Sequence, residues 1–201
     1  TDADGAYLIK TPDDLQSLQT QVNDKGFNYK GKWFRLANDI DMTQFDNWTP
    51  IGIVGNAFAG NLDGNHYTIR NLKVNVASGY AGMFGYASYT TFQNLTLDSP
   101  VVTGNSYCGS LIGYDNDGAT LINITANNVA VNSGNASAGG LVGRSGNISA
   151  KNCWVEGGSV TGRKIAAGIC TDSDDNSPTV VNCHNSANIN TTATSAARKS
   201  G

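Results

Sequence analysis

Two acidic turns carry the residue types most able to do chemistry, Asp115-Asn116-Asp117-Gly118 and Asp172-Ser173-Asp174-Asp175. Paired carboxylates at a fixed separation serve as acid and base in glycoside cleavage, and Asp-x-Asp-Gly is a fragment of a calcium loop. Asp115, Asp117, Asp174 and Asp175 are therefore the candidate metal ligands, calcium being the ion their oxygens suit, and no other cofactor is expected. Neither turn is a whole calcium loop, so two hydrophilic corners are the simpler reading. A nucleophilic triad needs a histidine beside its partners. His66 and His184 are the two histidines, and they lie far apart in the chain. Four cysteines without a Cys-x-x-Cys pair suggest no zinc site. The expectation is a protein that is not an enzyme.

A second set points to recognition. Tyr86, Tyr114, Arg144 and Asp172 each follow a short box of small and apolar residues, which places them at one corner of successive repeats. Aromatic faces in line can stack on sugar rings, and arginine grips a carboxylate with two bonds. Tyr86, Tyr114 and Arg144 are the candidate ligand contacts. The competing reading is that the tyrosines only shield turn backbone.

The repeat that positions these residues is written in two columns. The boxes GMFG (82–85), SLIG (110–113), GLVG (140–143) and GICT (168–171) place Met83, Leu111, Leu141 and Ile169 at steps of 28, 30 and 28 residues. FQNL, LINI, AKNC and VVNC place Asn94, Asn123, Asn152 and Asn182 at steps of 29, 29 and 30. A third apolar patch follows each asparagine, as in Val101-Val102-Thr103-Gly104. Such runs are too short for helices and rich in strand formers, so each unit reads as three strands and three turns. A unit of this kind buries its apolar face only by stacking on its neighbours. The fold expected is all-β, a right-handed parallel β-helix of about four coils with an N-terminal capping helix. Gly85, Gly113 and Gly143 suit tight corners or close backbone approach. Stacked asparagines should form an amide ladder, and Cys153 and Cys183, one coil apart, should be free buried thiols. Asn47, Asn94, Asn123, Asn135, Asn147 and Asn190 begin Asn-x-Ser/Thr triplets, with the ladder members expected to be buried. Thr103, Ser133 and Thr161 form a hydroxyl column too broken for an ice-binding face.

The segment Phe58-Ala59-Gly60-Asn61-Leu62-Asp63-Gly64-Asn65 and the following Ile69-Arg70-Asn71-Leu72 join the scheme, with Ile69, Asn71 and Leu72 matched to Phe92, Asn94 and Leu95. Together with the small-residue boxes, these strings resemble the GLUG-motif proteins, β-helical repeats of bacterial surface and adhesin-like proteins. The resemblance spans roughly residues 50 to 190, and Gly140-Leu141-Val142-Gly143 fits the motif in full, whereas Cys170-Thr171 departs from it. It implies a bacterial cell-surface or secreted module for adhesion or ligand binding. The alternative is a carbohydrate-binding domain of, or accessory to, a polysaccharide-degrading enzyme. A surface glycan or a host or neighbouring protein is the partner class implied.

The ends complete the expected organisation, with 1–50 as the cap, 51–190 as the repeats and 191–201 as a polar tail or linker. Thr11-Pro12-Asp13-Asp14 reads as a helix start, with Leu15, Leu18 and Val22 on one face of a helix over 12–23. Trp33, Phe34 and Trp48 are expected to pack under it. No cap is visible after Asn182, so the last coil should offer strand edges, and end-to-end self-association is an expected consequence. A net charge of −3 with no Lys/Arg cluster removes the footprint of nucleic-acid binding, and no run of 18 apolar residues suggests a transmembrane segment. Charged residues make up 14% of the chain, so its surface must be clothed in Asn, Ser, Thr and Gly.

Overall fold

The computed structural model describes residues 1–172 and 178–193, and shows a parallel β-helix. The strands Tyr7–Ile9, Trp33–Leu36, Asn61–Asp63, Thr91–Asp98, Thr120–Ser133, Ser149–Lys151 and Thr179–Val181 stack in that order, each parallel to the next. Seven rungs make about six turns rather than four. The difference lies at the N-terminus, where Tyr7–Ile9 and Trp33–Leu36 add rungs that carry no small-residue box.

One inward column shows how the stack is held. Tyr7, Phe34, Leu62, Phe92, Leu121, Ala150 and Val180 occupy the same register, and Phe34 to Ala150 are buried. Each phenylalanine or leucine so placed contributes about 1.5–3 kcal/mol of burial. Aromatic rings pack together inside the core, with Phe58 against Phe84 at 4.9 Å and Phe84 against Phe92 at 4.8 Å. The box residues Met83, Leu111 and Leu141 are fully buried, and Ile169 is partly buried against the same core.

Two corners turn the chain through left-handed backbone. Asn94, Asn123, Asn152 and Asn182 have φ between 51° and 54°. Asparagine is the non-glycine residue that best tolerates this region. The second corner is Asn71, Ser99, Asn128 and Gly157, aligned by the parallel register. Ile69 therefore pairs with Leu97, not Phe92, and Asn71 belongs to this second corner rather than to the Asn94 column. The two strings look alike because both corners ask for the same backbone. Register likewise puts Asn132, not Ser133, between Thr103 and Thr161. Because these kinks fall inside continuous strands such as Thr120–Ser133, each middle coil has more strand segments than its three apolar runs suggest.

The helix spans Pro12–Asn23, closed by a capping box between Thr11 and Asp14, and buries Leu15, Leu18 and Val22 in the solenoid core. Its last residue, Asn23, is a buried pin. The Asn23 side chain donates to the Pro50 carbonyl at 2.9 Å and accepts from the Gly52 amide at 2.8 Å. Phe34 and Trp48 are buried as expected, and Trp48 donates from Nε1 to the Met83 carbonyl. Trp33 instead faces outward, since strand alternation that buries Phe34 and Leu36 must expose it. No helix among the described residues is long and apolar enough to cross a membrane. Residues 194–201, the end of the expected tail, lie outside the described residues.

Candidate functional site

The box strands Phe84–Ala87, Ile112–Asp115 and Val142–Ser145 pair in parallel, with Phe84, Ile112 and Val142 inward. The same register sets Tyr86, Tyr114 and Arg144 side by side, as the sequence predicts. Tyr86 stacks on Tyr114 with ring centroids 5.5 Å apart and planes 19° apart. Asp172 does not continue this column, because a register shift after Val142 pairs it with Ser145.

Two further tyrosines complete the face. Tyr80 and Tyr107 stack at 5.6 Å and 15°, and Tyr80 lies 4.9 Å from the Tyr114 ring. The box glycines allow this approach. A Cβ on Gly113 would lie 2.7 Å from the Ala81 nitrogen, and one on Gly143 only 2.5 Å from that of Cys108. None of Gly85, Gly113 and Gly143 has positive φ, so of the two roles expected for them, close packing is the one they serve. The Arg144 guanidinium lies over the Tyr107 ring at 4.9 Å and the Tyr114 ring at 5.8 Å, and donates to the Tyr107 hydroxyl. All four rings are half-buried. Partial burial pushes the Tyr80 and Tyr86 phenols up, the neighbouring tyrosines adding to the effect. Tyr80 and Tyr107 escape a reading confined to the residue after the box, although Tyr80-Ala81-Gly82 and Tyr107-Cys108-Gly109 repeat just before it.

The structure separates the candidate metal ligands. Asp115 is fully buried and accepts hydrogen bonds from the Gly118 amide at 3.2 Å, the Ala119 amide at 2.8 Å and the Ser145 hydroxyl at 2.6 Å. Burial pushes its carboxyl up to about 6, against these three bonds. Asp117 faces solvent, takes a 2.7 Å bond from the Ser88 hydroxyl and is held below the usual carboxylate range chiefly by that bond. One carboxylate is turned inward as a turn cap and the other outward, so they do not form a shared oxygen cage. Asp174 and Asp175 lie outside the described residues. Among the described residues no three His, Cys, Asp or Glu side chains are grouped to hold a metal ion. His66 lies just before Thr68, whose column runs through Thr96, Thr125 and Trp154 to His184, so the two histidines are about four rungs apart, roughly 19 Å at strand spacing.

The asparagine ladder forms on the outer surface. Asn123 donates to Asn94 at 2.9 Å, Asn152 to Asn123 at 3.1 Å and Asn182 to Asn152 at 2.7 Å. Asn123 and Asn182 are exposed and Asn94 and Asn152 half-buried, where burial was expected. A left-handed residue at a corner must project its side chain away from the core. All four cysteines are free thiols, with Cys153 buried and Cys183 half-buried, and the Cys153 amide donates to Cys183 Sγ at 3.4 Å.

No family model matches the chain. The chain is 31% identical over 152 residues to Halomucin of Haloquadratum walsbyi, an alignment covering 68% of the chain and 2% of that protein. It is 32% identical over 104 residues to a protein of Evansella cellulosilytica described as a candidate Gly-rich membrane protein, covering 48% of the chain and 11% of the relative. The chain thus spans a small part of the relatives it matches. A crystal structure from Bacteroides ovatus, described as a candidate immunoglobulin A1 protease, superposes with a TM-score of 0.65 at 18% identity, over 94% of this chain and 68% of that one. At that identity the likeness is one of fold.

Proposed function

We propose that this chain is a non-enzymatic β-helix module of a secreted or cell-surface protein, with the tyrosine face as its recognition surface. The observation that carries this reading is the mutual packing of Tyr80, Tyr86, Tyr107 and Tyr114, from two successive coils, with the Arg144 guanidinium over Tyr107 and Tyr114. Core packing does not need these rings, since Phe84 and Ile112 already fill the interior behind them. Interlocked rings lose little conformational freedom on binding and offer flat apolar area beside hydroxyls, which suits a sugar ring or a protein loop. The partner on this reading is a surface glycan or a neighbouring protein. A place outside the cell is supported by the likeness to Halomucin and to a Gly-rich membrane protein, and by a surface poor in charge. The resemblance to GLUG-motif repeats agrees with this placement. Against catalysis stand the capped, buried Asp115 and the two separated histidines.

A glycan array probed with the chain and with a Tyr86→Ser/Tyr114→Ser double variant tests this reading. Both positions are half-buried in the ring cluster but outside the core, so the variant should fold, with a lowered melting temperature checked before the array is probed. The expected result is binding to a defined glycan subset that the double variant loses. Binding that survives both substitutions removes the tyrosine face from the function. The alternative, a carbohydrate-binding part of a polysaccharide-degrading protein, is favoured by the stacked ring geometry, and predicts that the bound glycans are polysaccharide fragments.

A further inference from the structure

A second outward face has different chemistry. Parallel register lines up Thr68, Thr96, Thr125, Trp154 and His184 in one column beside the asparagine ladder. Between the two columns runs a groove of about 230 Å³, lined by Asn94, Asn123 and Asn152 from one column, by Thr96, Thr125 and Trp154 from the other, and by His66 and Leu95. Its long direction is the solenoid axis, because its residues come from equivalent positions of successive coils.

The ladder leaves the hydrogen-bonding capacity of its side of the groove half-used. A carboxamide has two N–H donors and two acceptor lone pairs. Asn123 spends one donor on Asn94 and one lone pair on Asn152, and Asn152 does the same between Asn123 and Asn182. Each of these rungs keeps one donor and one acceptor, repeated every ~4.8 Å. Threonine hydroxyls at 96 and 125 add a second polar row. Among the described residues lining the groove there is no Lys, Arg, Asp or Glu. A ligand suited to it is extended, rich in hydroxyls and uncharged. Trp154 supplies the apolar element. It stands 39% exposed, at a position that threonine fills in the two preceding coils, with its ring 5.8 Å from that of His184. A large ring exposed in a polar groove has a flat face on which a sugar ring can stack.

We infer that this groove binds an uncharged, unbranched saccharide chain lying along the solenoid axis, with Trp154 as the stacking platform and the spare ladder amides paired to sugar hydroxyls. The inference does not depend on the tyrosine face, which lies on the box strands. Calorimetric titration of the full chain with cellohexaose, xylohexaose and mannohexaose, and with hexagalacturonate as the charged counterpart, tests it. At least one neutral hexamer should bind, and better than hexagalacturonate. Trp154→Ala should weaken that binding about tenfold or more. Asn123→Gly removes the amide while a glycine keeps the left-handed corner, and should weaken it several-fold. Tyr114→Ser should leave it unchanged, so that failure of the tyrosine-face reading is scored separately. The inference is overturned if no neutral hexamer binds, if hexagalacturonate binds more tightly, or if Trp154→Ala has no effect in a variant whose melting temperature is preserved.

Discussion

Replacing Asp115 by Asn removes a titrating group from the turn that backs the tyrosine face. The Asp115 carboxyl is fully buried, and burial pushes it up to about 6 from an ordinary 3.8, against the bonds from Ser145, Ala119 and Gly118. The folded chain therefore holds this proton more tightly than the unfolded chain, and folding takes up a proton between about pH 4 and pH 6. The stability that Asp115 contributes is complete below about pH 4 and is lost as pH rises through 6. A rise of roughly two units corresponds to about 3 kcal/mol. The carboxyls of Asp2, Asp14, Asp41 and Asp117 are all lowered and act in the opposite sense, but they are common to both proteins and cancel in the comparison. Urea unfolding of the wild type and Asp115→Asn at about pH 4 and about pH 7.5 measures the effect. Between the two pH values the difference in unfolding free energy should move by about 3 kcal/mol in favour of the variant. A difference that does not change with pH, or that moves in favour of the wild type, would refute the reasoning. It would mean that the three donors outweigh burial and keep the carboxylate ionised.

Asn23→Ala leaves the Pro50 carbonyl and the Gly52 amide without their partner, and should cost about 2 to 4 kcal/mol in urea unfolding. A loss below about 1 kcal/mol would show that water replaces the side chain. Burial pushes the Cys108 and Cys153 thiols up to about 12, so a disulfide exchange reagent at neutral pH should leave both unlabelled in the native chain and reach them only in denaturant. Rapid native labelling of either, followed by mass spectrometry, would contradict their burial.

The middle coils were legible because their boxes and asparagines recur in phase. Met83, Leu111 and Leu141 are all buried, and Asn94 to Asn182 all form the ladder. The first coils were not legible as coils, since Tyr7 and Phe34 enter the stack without a box, their rung closed by aromatic packing and by the helix. Side-chain direction was the harder matter. Strand alternation alone suffices to turn Trp33 outward, and the Asp-x-x-Gly turn already hints that Asp115 would cap the amides of Gly118 and Ala119 instead of facing solvent. The tyrosine face was half legible. Tyr86 and Tyr114 share a box position, whereas Tyr80 and Tyr107 reach them only because glycine lets neighbouring backbones close up.

The strands of this solenoid lie across its axis, and the hydrogen bonds between rungs point along it. Tension drawn along that axis loads one rung at a time, like a zipper, instead of shearing many strands together. Each coil that lets go frees about 29 residues, roughly 100 Å of extended chain, before the next rung feels the load. The tyrosine face is shared by adjoining coils, so the release of either one dissolves it with the loss of a single turn.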